Sequence, residues 1–157
     1  MIKSTLFSLC LLIAFSIQAQ QDVYFASTPA LTPDGSQIVF SYDSDLWKVS
    51  RSGGTATRLT GMDGVEEYPR ISPDGRWIAF SSNQYGNADI YLMPIDGGEI
   101  RQLTYNSAND EVETWSWDSQ TIYFRSGRYN RTAAYTVSVQ RSEEHTSELQ
   151  SHSDLVC

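Results

Sequence analysis

Between residues 22 and 140 the chain has neither cysteine nor histidine: Cys10, Cys157, His145 and His152 all lie outside that stretch. Without cysteine no disulfide framework holds the body of the protein. Without either residue, neither a Ser-His-Asp nor a Cys-His arrangement can be assembled from it. Zinc sites built on His or Cys are excluded as well. Positive charge is scarce: eleven Lys plus Arg stand against nineteen Asp plus Glu, a formal net charge of −8. Nucleic acid and anionic lipid bind through cationic patches, so neither is an expected partner. Long apolar runs are missing too. Residues 6–15 form such a run, but it is shorter than the about 20 residues of a membrane span.

That run fits export instead. Lys3 supplies a positive end, and Ser16-Ile17-Gln18-Ala19 offers a small residue at a cleavage point before polar Gln20-Gln21-Asp22. This is the pattern of a secretory signal peptide over residues 1–19. Cys10 sits inside the apolar run rather than at its end, which argues against a lipoprotein. The expectation is a periplasmic or secreted protein with no membrane insertion after cleavage.

What the chain does have is one phrase written repeatedly. The first copy runs Pro33-Asp34-Gly35, Ile38-Val39-Phe40, Asp45-Leu46-Trp47, Gly53-Gly54 and Leu59-Thr60. The second runs Pro73-Asp74-Gly75, Ile78-Ala79-Phe80, Asp89-Ile90-Tyr91, Gly97-Gly98 and Leu103-Thr104. A third opens Trp117-Asp118-Ser119, then Ile122-Tyr123-Phe124 and Tyr135. The opening turns lie 40 and then 44 residues apart, the period of a four-stranded propeller blade. The predicted fold is all-β: a β-propeller fragment of about three four-stranded blades within residues 20–140, at about 27–60, 67–104 and 112–140. A closed ring takes roughly four to eight blades, so this ring is incomplete. Its exposed apolar edge invites aggregation.

The second copy reads most cleanly. Tyr68-Pro69-Arg70-Ile71-Ser72 is the expected inner strand and Trp77-Ile78-Ala79-Phe80-Ser81 the next, apolar enough for burial on both faces. Residues 89–95 form the third strand, Asp96-Gly97-Gly98 a hairpin turn and residues 99–104 the outer strand. Phe40 to Leu59 spans 19 positions and Phe80 to Leu103 spans 23, which puts the Asn83 loop on a rim where insertions are tolerated. Val23-Tyr24-Phe25 is a candidate closing strand.

The acidic residues follow the repeat rather than a ligand set. Pro33, Asp34, Gly35, Pro73, Asp74, Gly75 and Asp118 are turn residues, in which Pro presets φ, Asp bonds back to the chain and Gly takes positive φ. Asp45 and Asp89 are expected to cap strand ends. A calcium loop needs six or more oxygens from closely spaced positions, which Asp43-Ser44-Asp45 does not supply. Glu66-Glu67, Asp110-Glu111 and Glu113 show no separated pair suited to acid–base work. Phe40, Trp47, Phe80, Tyr91, Phe124 and Tyr135 recur at equivalent positions and read as blade core, whereas Trp77, Trp115 and Trp117 have weaker repeat partners and suit a rim or channel. No catalytic residue, cofactor site or metal site is assigned. Asn130-Arg131-Thr132 matches a glycosylation acceptor, a short and common pattern.

From Arg141 the pattern stops: Arg141 and Ser142 stand where the repeat places Gly97 and Gly98. The string Arg141-Ser142-Glu143-Glu144-His145-Thr146-Ser147-Glu148-Leu149-Gln150 resembles the in-frame translation of a sequencing-library adapter. Residues 141–157 are therefore expected to be a non-native, disordered tail, with the natural frame cut after about Gln140.

Ile71-Ser72-Pro73-Asp74-Gly75-Arg76-Trp77-Ile78-Ala79-Phe80, with Asp89-Ile90-Tyr91, Gly97-Gly98 and Arg101-Gln102-Leu103-Thr104, resembles the propeller repeats of TolB and of tricorn-type proteases. The likeness covers about residues 22–140. Ile38-Val39-Phe40-Ser41-Tyr42 and Asp45-Leu46-Trp47 so soon after a signal peptide, and Trp115-Ser116-Trp117-Asp118 with Arg128-Tyr129-Asn130, are more similar to the secreted tricorn branch. That resemblance implies the N-terminal propeller of a serine peptidase, followed in such proteins by a PDZ-like module and the catalytic domain. Its implied role is a non-catalytic gate or peptide-binding scaffold, with a peptide or protein substrate as partner. The catalytic Ser, His and Glu of the family have no counterpart here. Two alternatives stand beside it: a TolB-like periplasmic protein-interaction propeller, although TolB places a small α/β domain before its blades, and the propeller of a prolyl-oligopeptidase-like hydrolase, whose Gly-x-Ser-x-Gly elbow would lie downstream.

The expected result of long-read sequencing of the source DNA across the Gln140 codon is a frame that continues through further blades into a PDZ-like and peptidase region. A genomic frame ending at Cys157 would instead make this a small secreted binding protein.

Overall fold

The computed structural model describes residues 26–140 and 147–148. The expected signal peptide, the candidate closing strand at residues 23–25, both cysteines, both histidines and most of the expected tail lie outside them.

Three four-stranded antiparallel sheets follow one another along the chain. The first contains β1 (Ser27–Leu31), β2 (Gln37–Tyr42), β3 (Asp45–Ser50) and β4 (Thr57–Arg58). The second contains β5 (Glu66–Ile71), β6 (Trp77–Ser82), β7 (Asp89–Pro94) and β8 (Arg101–Gln102). The third contains β9 (Asp110–Trp115), β10 (Thr121–Ser126), β11 (Ala133–Ser138) and β12 (Ser147–Glu148). Each sheet is a simple meander, and together they form the expected all-β, unclosed propeller fragment. A single 3₁₀ turn, Arg128–Asn130, is the helical exception among the described residues.

The turn between the first two strands of each blade has one construction. Gly35 and Gly75 sit at φ +69° and +73°, where a side chain would be strained. In the third blade Ser119 takes this place at φ +61°. A hydroxyl two residues before each turn aspartate donates to its carboxylate: Thr32 to Asp34, Ser72 to Asp74 and Ser116 to Asp118, each at 2.5 Å. The amide two residues after the aspartate donates to the same carboxylate. Both sides of the turn are thereby tied to one side chain.

The inner strands carry a feature that propensity does not announce. Their ladders slip between Ser27 and Ala30 and between Glu67 and Arg70, with Thr28 at φ +46° and Tyr68 at φ +54°. Pro29 and Pro69 follow these residues directly. Proline has no N–H to contribute, so a bulge is where an inner strand tolerates it. The outer strands are shorter than expected, two residues in β8 rather than the six of 99–104. The cause is a side chain: the Ile90 amide donates to Thr104 Oγ1 at 2.9 Å, replacing a backbone ladder bond, and Leu46 donates to Thr60 Oγ1 at 2.8 Å in the first blade.

Packing runs from sheet to sheet. Val39 and Leu46 of the first sheet meet Ile78, Phe80, Tyr91 and Met93 of the second. Ala79, Ile90, Leu92 and Leu103, on the other face of the second, meet Ile122, Phe124, Tyr135 and Val137 of the third. β6 is thus buried on both faces, as its apolar run predicts, and so is β7. Phe80 stacks on Tyr91 and Phe124 on Tyr135, with ring centroids 5.7 Å apart in both pairs. Trp47 differs. It is half-buried, edge-on to Tyr42, and its indole N–H donates to the Tyr42 carbonyl at 3.0 Å.

Phe80→Ala should destabilise the protein by roughly 3–5 kcal/mol, the cost of a large cavity between two sheets. Trp47→Ala, on a face that no described sheet covers, should cost clearly less. Urea denaturation of both variants checks the order, and equal losses would refute the one-sided packing of the first sheet.

Candidate functional site

The strand order divides the loops between two rims. One rim carries the Asp-centred turns and the Gly53-Gly54 and Gly97-Gly98 hairpins. The other carries the loops between second and third strands and the connections from blade to blade. On the first rim, neighbouring turns touch: the Asp74 amide donates to Ser119 Oγ at 3.1 Å. The turn carboxylates are structural. Hydrogen bonds from the Thr32 and Ser36 hydroxyls hold the Asp34 carboxyl down to about 2. The Ser116 hydroxyl and Gln120 amide lower Asp118. At Asp74 burial pushes upward, but the Ser72 hydroxyl and the Arg76 amide and guanidinium outweigh it. Pro33 and Pro73 are exposed beside these turns. Trp117, which stands at the proline position, is 95 % exposed. Trp115, by contrast, is buried, and its indole N–H donates to the Arg70 carbonyl at 2.9 Å. Trp77 packs partly buried against the second-to-third core, so of these three tryptophans only Trp117 faces solvent on a rim.

At the opposite rim each joint between blades holds a buried carboxylate. Glu66, fully buried, lies 3.0 Å from Thr60 Oγ1 and accepts from Ser82 Oγ at 3.1 Å. Thr60 Oγ1 is also 3.3 Å from Asp45, which pairs with Arg58 at 2.6 Å. The Thr60 hydroxyl has one hydrogen and two carboxylate neighbours. It accepts from the Leu46 amide, so it donates to only one of them. With Glu66 protonated, its own O–H can turn to Thr60 and leave the Thr60 hydrogen for the ion-paired Asp45. Burial raises the Glu66 carboxyl to about 7, against the pull of the Thr60 and Ser82 hydroxyls and with the negative charge of Asp45 adding to the rise.

The next joint solves the same problem with a cation. Asp110 stands opposite Ser126 as Glu66 stands opposite Ser82. Arg128 pairs with it at 2.6 Å, almost wholly buried. The Arg128 guanidinium lies over the Phe124 and Tyr135 rings, 5.4 and 5.2 Å from their centroids. Asp89, the counterpart of Asp45, accepts from Thr104 and Gln102. These carboxylates stitch blades together and are enclosed. Among the described residues no group of three or more His, Cys, Asp or Glu side chains is placed to hold a metal ion, and no helix is long and apolar enough to cross a membrane.

The surface of this same rim is different. Tyr85, Tyr105 and Tyr129 are 73 %, 60 % and 81 % exposed, and Val65 in the first inter-blade connection is exposed too. Asn87 ties the loops underneath, donating to the Asn106 carbonyl at 2.7 Å. The Val65 amide donates to Asn83 Oδ1 at 2.8 Å. A cleft of about 350 Å³ opens nearby, lined by Asn109, Glu111, Arg125, Gly127 and Thr132 among others. Arg125 bridges Glu111 and Glu113 at its edge. Aromatic faces, amide groups and a charged cleft on a firm base suit an extended polypeptide. Tyr85 and Tyr105 fall in loops outside the repeated phrase, and their lack of equivalents in the first copy is the signal that marks them.

Comparison with known proteins follows the same lines. The model of the tricorn protease N-terminal β-propeller domain matches residues 18–156. Tricorn protease homolog 1 of Streptomyces coelicolor is 33 % identical over 73 residues, 46 % of this chain and 7 % of that protein. A second tricorn protease homolog of the same organism is 44 % identical over 72 residues, 45 % of this chain and 6 % of that protein. The aligned stretches thus span less than a tenth of these relatives. A TolB-like structure from Agrobacterium tumefaciens superposes with a TM-score of 0.70 at 21 % identity, over 82 % of this chain and 50 % of that one.

The Glu66 joint makes stability depend on pH. Its carboxyl is raised in the fold from 4.5 to about 7, so the folded state keeps a proton that the unfolded chain gives up earlier. The contribution is present in full below pH 4.5 and is lost as pH rises through about 7. Glu66→Gln keeps a donor to Thr60 and an acceptor for Ser82 without the ionisation. Its urea midpoint should exceed that of the unaltered protein at pH 8 and match it at pH 4.5. A variant less stable at pH 8 would rule out the protonated joint.

Proposed function

The chain belongs to the tricorn protease N-terminal β-propeller family, and from that membership we propose that it is the non-catalytic propeller portion of a secreted serine peptidase, where it binds and guides extended peptide substrates. The observation that carries this reading is the contrast between the two kinds of polar group on the structure. The joint carboxylates Glu66 and Asp110 are enclosed and the turn aspartates hold the chain, whereas the rim of Tyr85, Tyr105 and Tyr129 is open. A gate needs to hold a chain of many sequences loosely. Tyrosine rings with amide-bearing loops do so, because stacking and single hydrogen bonds tolerate varied side chains. The acidic balance of the chain favours peptides that carry Lys or Arg. Secretion rests on the signal pattern of residues 1–19, and cleavage is assigned to a domain outside this chain.

Fluorescence anisotropy with labelled, unstructured, Lys-containing peptides tests the reading. Binding is expected at micromolar concentration without hydrolysis, weakened about tenfold or more in a Tyr85→Ser/Tyr105→Ser double variant that melts like the unaltered protein. Peptide cleavage by this chain, or binding unaffected by the double variant, would overturn it.

A further inference from the structure

On the rim of the aspartate turns, the two joints between blades treat the same carbonyl differently. The Ile95 amide donates to the Arg76 carbonyl at 2.9 Å and the Val139 amide to the Gln120 carbonyl at 3.0 Å. Ile95 and Val139 are therefore equivalent, and so are Asp96 and Gln140, which follow them. In both joints a cation of the preceding blade reaches across to that residue: Lys48 Nζ donates to the Ile95 carbonyl at 3.1 Å, and Arg101 Nη2 to the Val139 carbonyl at 2.8 Å. Lys48 is then neutralised by Asp96 at 2.9 Å. Gln140 stands where that acid would stand for Arg101, so Arg101 has the carbonyl without the carboxylate.

A cleft of about 470 Å³ opens at this second joint, lined by Arg76, Trp77, Arg101, Ser119, Gln120 and Gln140, with no Asp or Glu in its lining. Arg76 gives its Nε to Asp74 at 2.7 Å and Arg101 gives one nitrogen to Val139, which leaves most of both N–H forks for a ligand. Ser119 is buried, and its Oγ accepts from the Asp74 amide at 3.1 Å, so its own hydrogen is left to donate. The cleft is thus rich in donors and poor in acceptors, on a chain whose net charge is −8.

We propose that this cleft docks an acidic polypeptide segment, one Asp or Glu side chain of the partner doing for Arg101 what Asp96 does for Lys48. A carboxylate fits the planar guanidinium fork through two parallel hydrogen bonds. Trp117, 95 % exposed, belongs to the same turn as Ser119, and Trp77 is half-buried in the cleft wall. Tryptophan beside arginine is the composition in which interfaces between polypeptides concentrate their energy, which favours a peptide over a free anion. The net negative charge opposes an acidic partner only at long range. At about 0.15 M salt the screening length is about 8 Å, so a side chain seated in the cleft responds to the local arginines. Both walls of the cleft belong to described blades, so the site needs no further blade. It lies on the rim opposite the exposed tyrosines and stands whether or not that rim binds peptide.

Fluorescence anisotropy of the full 157-residue chain tests it, with a short labelled peptide of Glu, Leu and Ser and a control carrying Gln for every Glu. The Glu peptide should bind and the Gln control should not. Gln140→Asp, which supplies within the chain the acid of the first joint, should weaken binding about tenfold or more, and so should Arg101→Gln. Both positions are exposed, and thermal melts matching the unaltered protein check that the fold is kept. Tyr85→Ser/Tyr105→Ser should leave this binding unchanged. Equal binding of the two peptides, or Glu-peptide binding unmoved by Gln140→Asp and Arg101→Gln, would overturn the proposal. Inorganic phosphate at millimolar concentration should leave the peptide bound; displacement would show a site for a free anion and overturn the polypeptide as its occupant.

Discussion

A four-stranded sheet whose two central strands are apolar on both sides has no stable existence alone. It needs one neighbour against Phe80 and Tyr91 and another against Ala79, Ile90 and Leu92. That demand organises everything else here. It fixes the order of the sheets, because a blade is covered only by the blades adjacent to it in sequence. It explains why the Ile-x-Phe and Asp-aliphatic-aromatic segments recur with so little variation, since each must fit the same kind of neighbour. Among the described residues, the first and third sheets each have one such neighbour.

Apolar stacking sets which faces meet, but it is non-directional and leaves the blades free to slide. Direction comes from the polar groups at the joints. Thr60 and Thr104 take the amide of the third strand in place of a backbone carbonyl, and their hydroxyls then meet Asp45 and Asp89. The first amide of the following blade closes the joint: Glu66 donates to the Ser44 carbonyl at 2.9 Å and Asp110 to the Ala88 carbonyl at 2.7 Å. The side chains of these two acids then diverge. Glu66 is long enough to reach Thr60 and is satisfied by sharing a proton. Asp110, one methylene shorter, is held by Arg128 of its own blade. A buried carboxylate needs a proton or a cation, and the two joints use one solution each.

Much of the fold was legible in the sequence because the repeat prints it three times. The Pro-Asp-Gly turns, the apolar second strand and the double-glycine hairpins are local signals, and they lie where the spacing puts them. What was illegible depends on distant partners. Glu66 and Asp110 read as ordinary surface acids, since nothing nearby in sequence discloses that Ser82 and Arg128 enclose them. Arg128 pairs across 18 residues and stacks on rings from two different strands. Trp115 has only a weak repeat partner, which suggested a rim or channel, yet its indole finds a carbonyl 45 residues away and stays inside. Thr28 and Tyr68 adopt positive φ although neither is glycine, and only the proline after each hints at the bulge.

The same comparison of copies separates scaffold from working surface. The connection between first and second strands is five residues long in all three blades, 32–36, 72–76 and 116–120. Between second and third strands it is two residues in the first blade, 43–44, but six in the others, 83–88 and 127–132. A constant length with constant hydrogen bonds marks a turn whose task is to hold the sheet. A variable length marks a place where the fold tolerates change at little cost, because the loop closes over solvent and its extra residues pay mainly slowly growing closure entropy. Tyr85 and Tyr129 sit at those variable positions, and the buried joints beneath them keep the loops on a fixed base. Among the described residues, the loops between second and third strands differ in length from copy to copy on one rim, whereas the aspartate turns of the other rim do not.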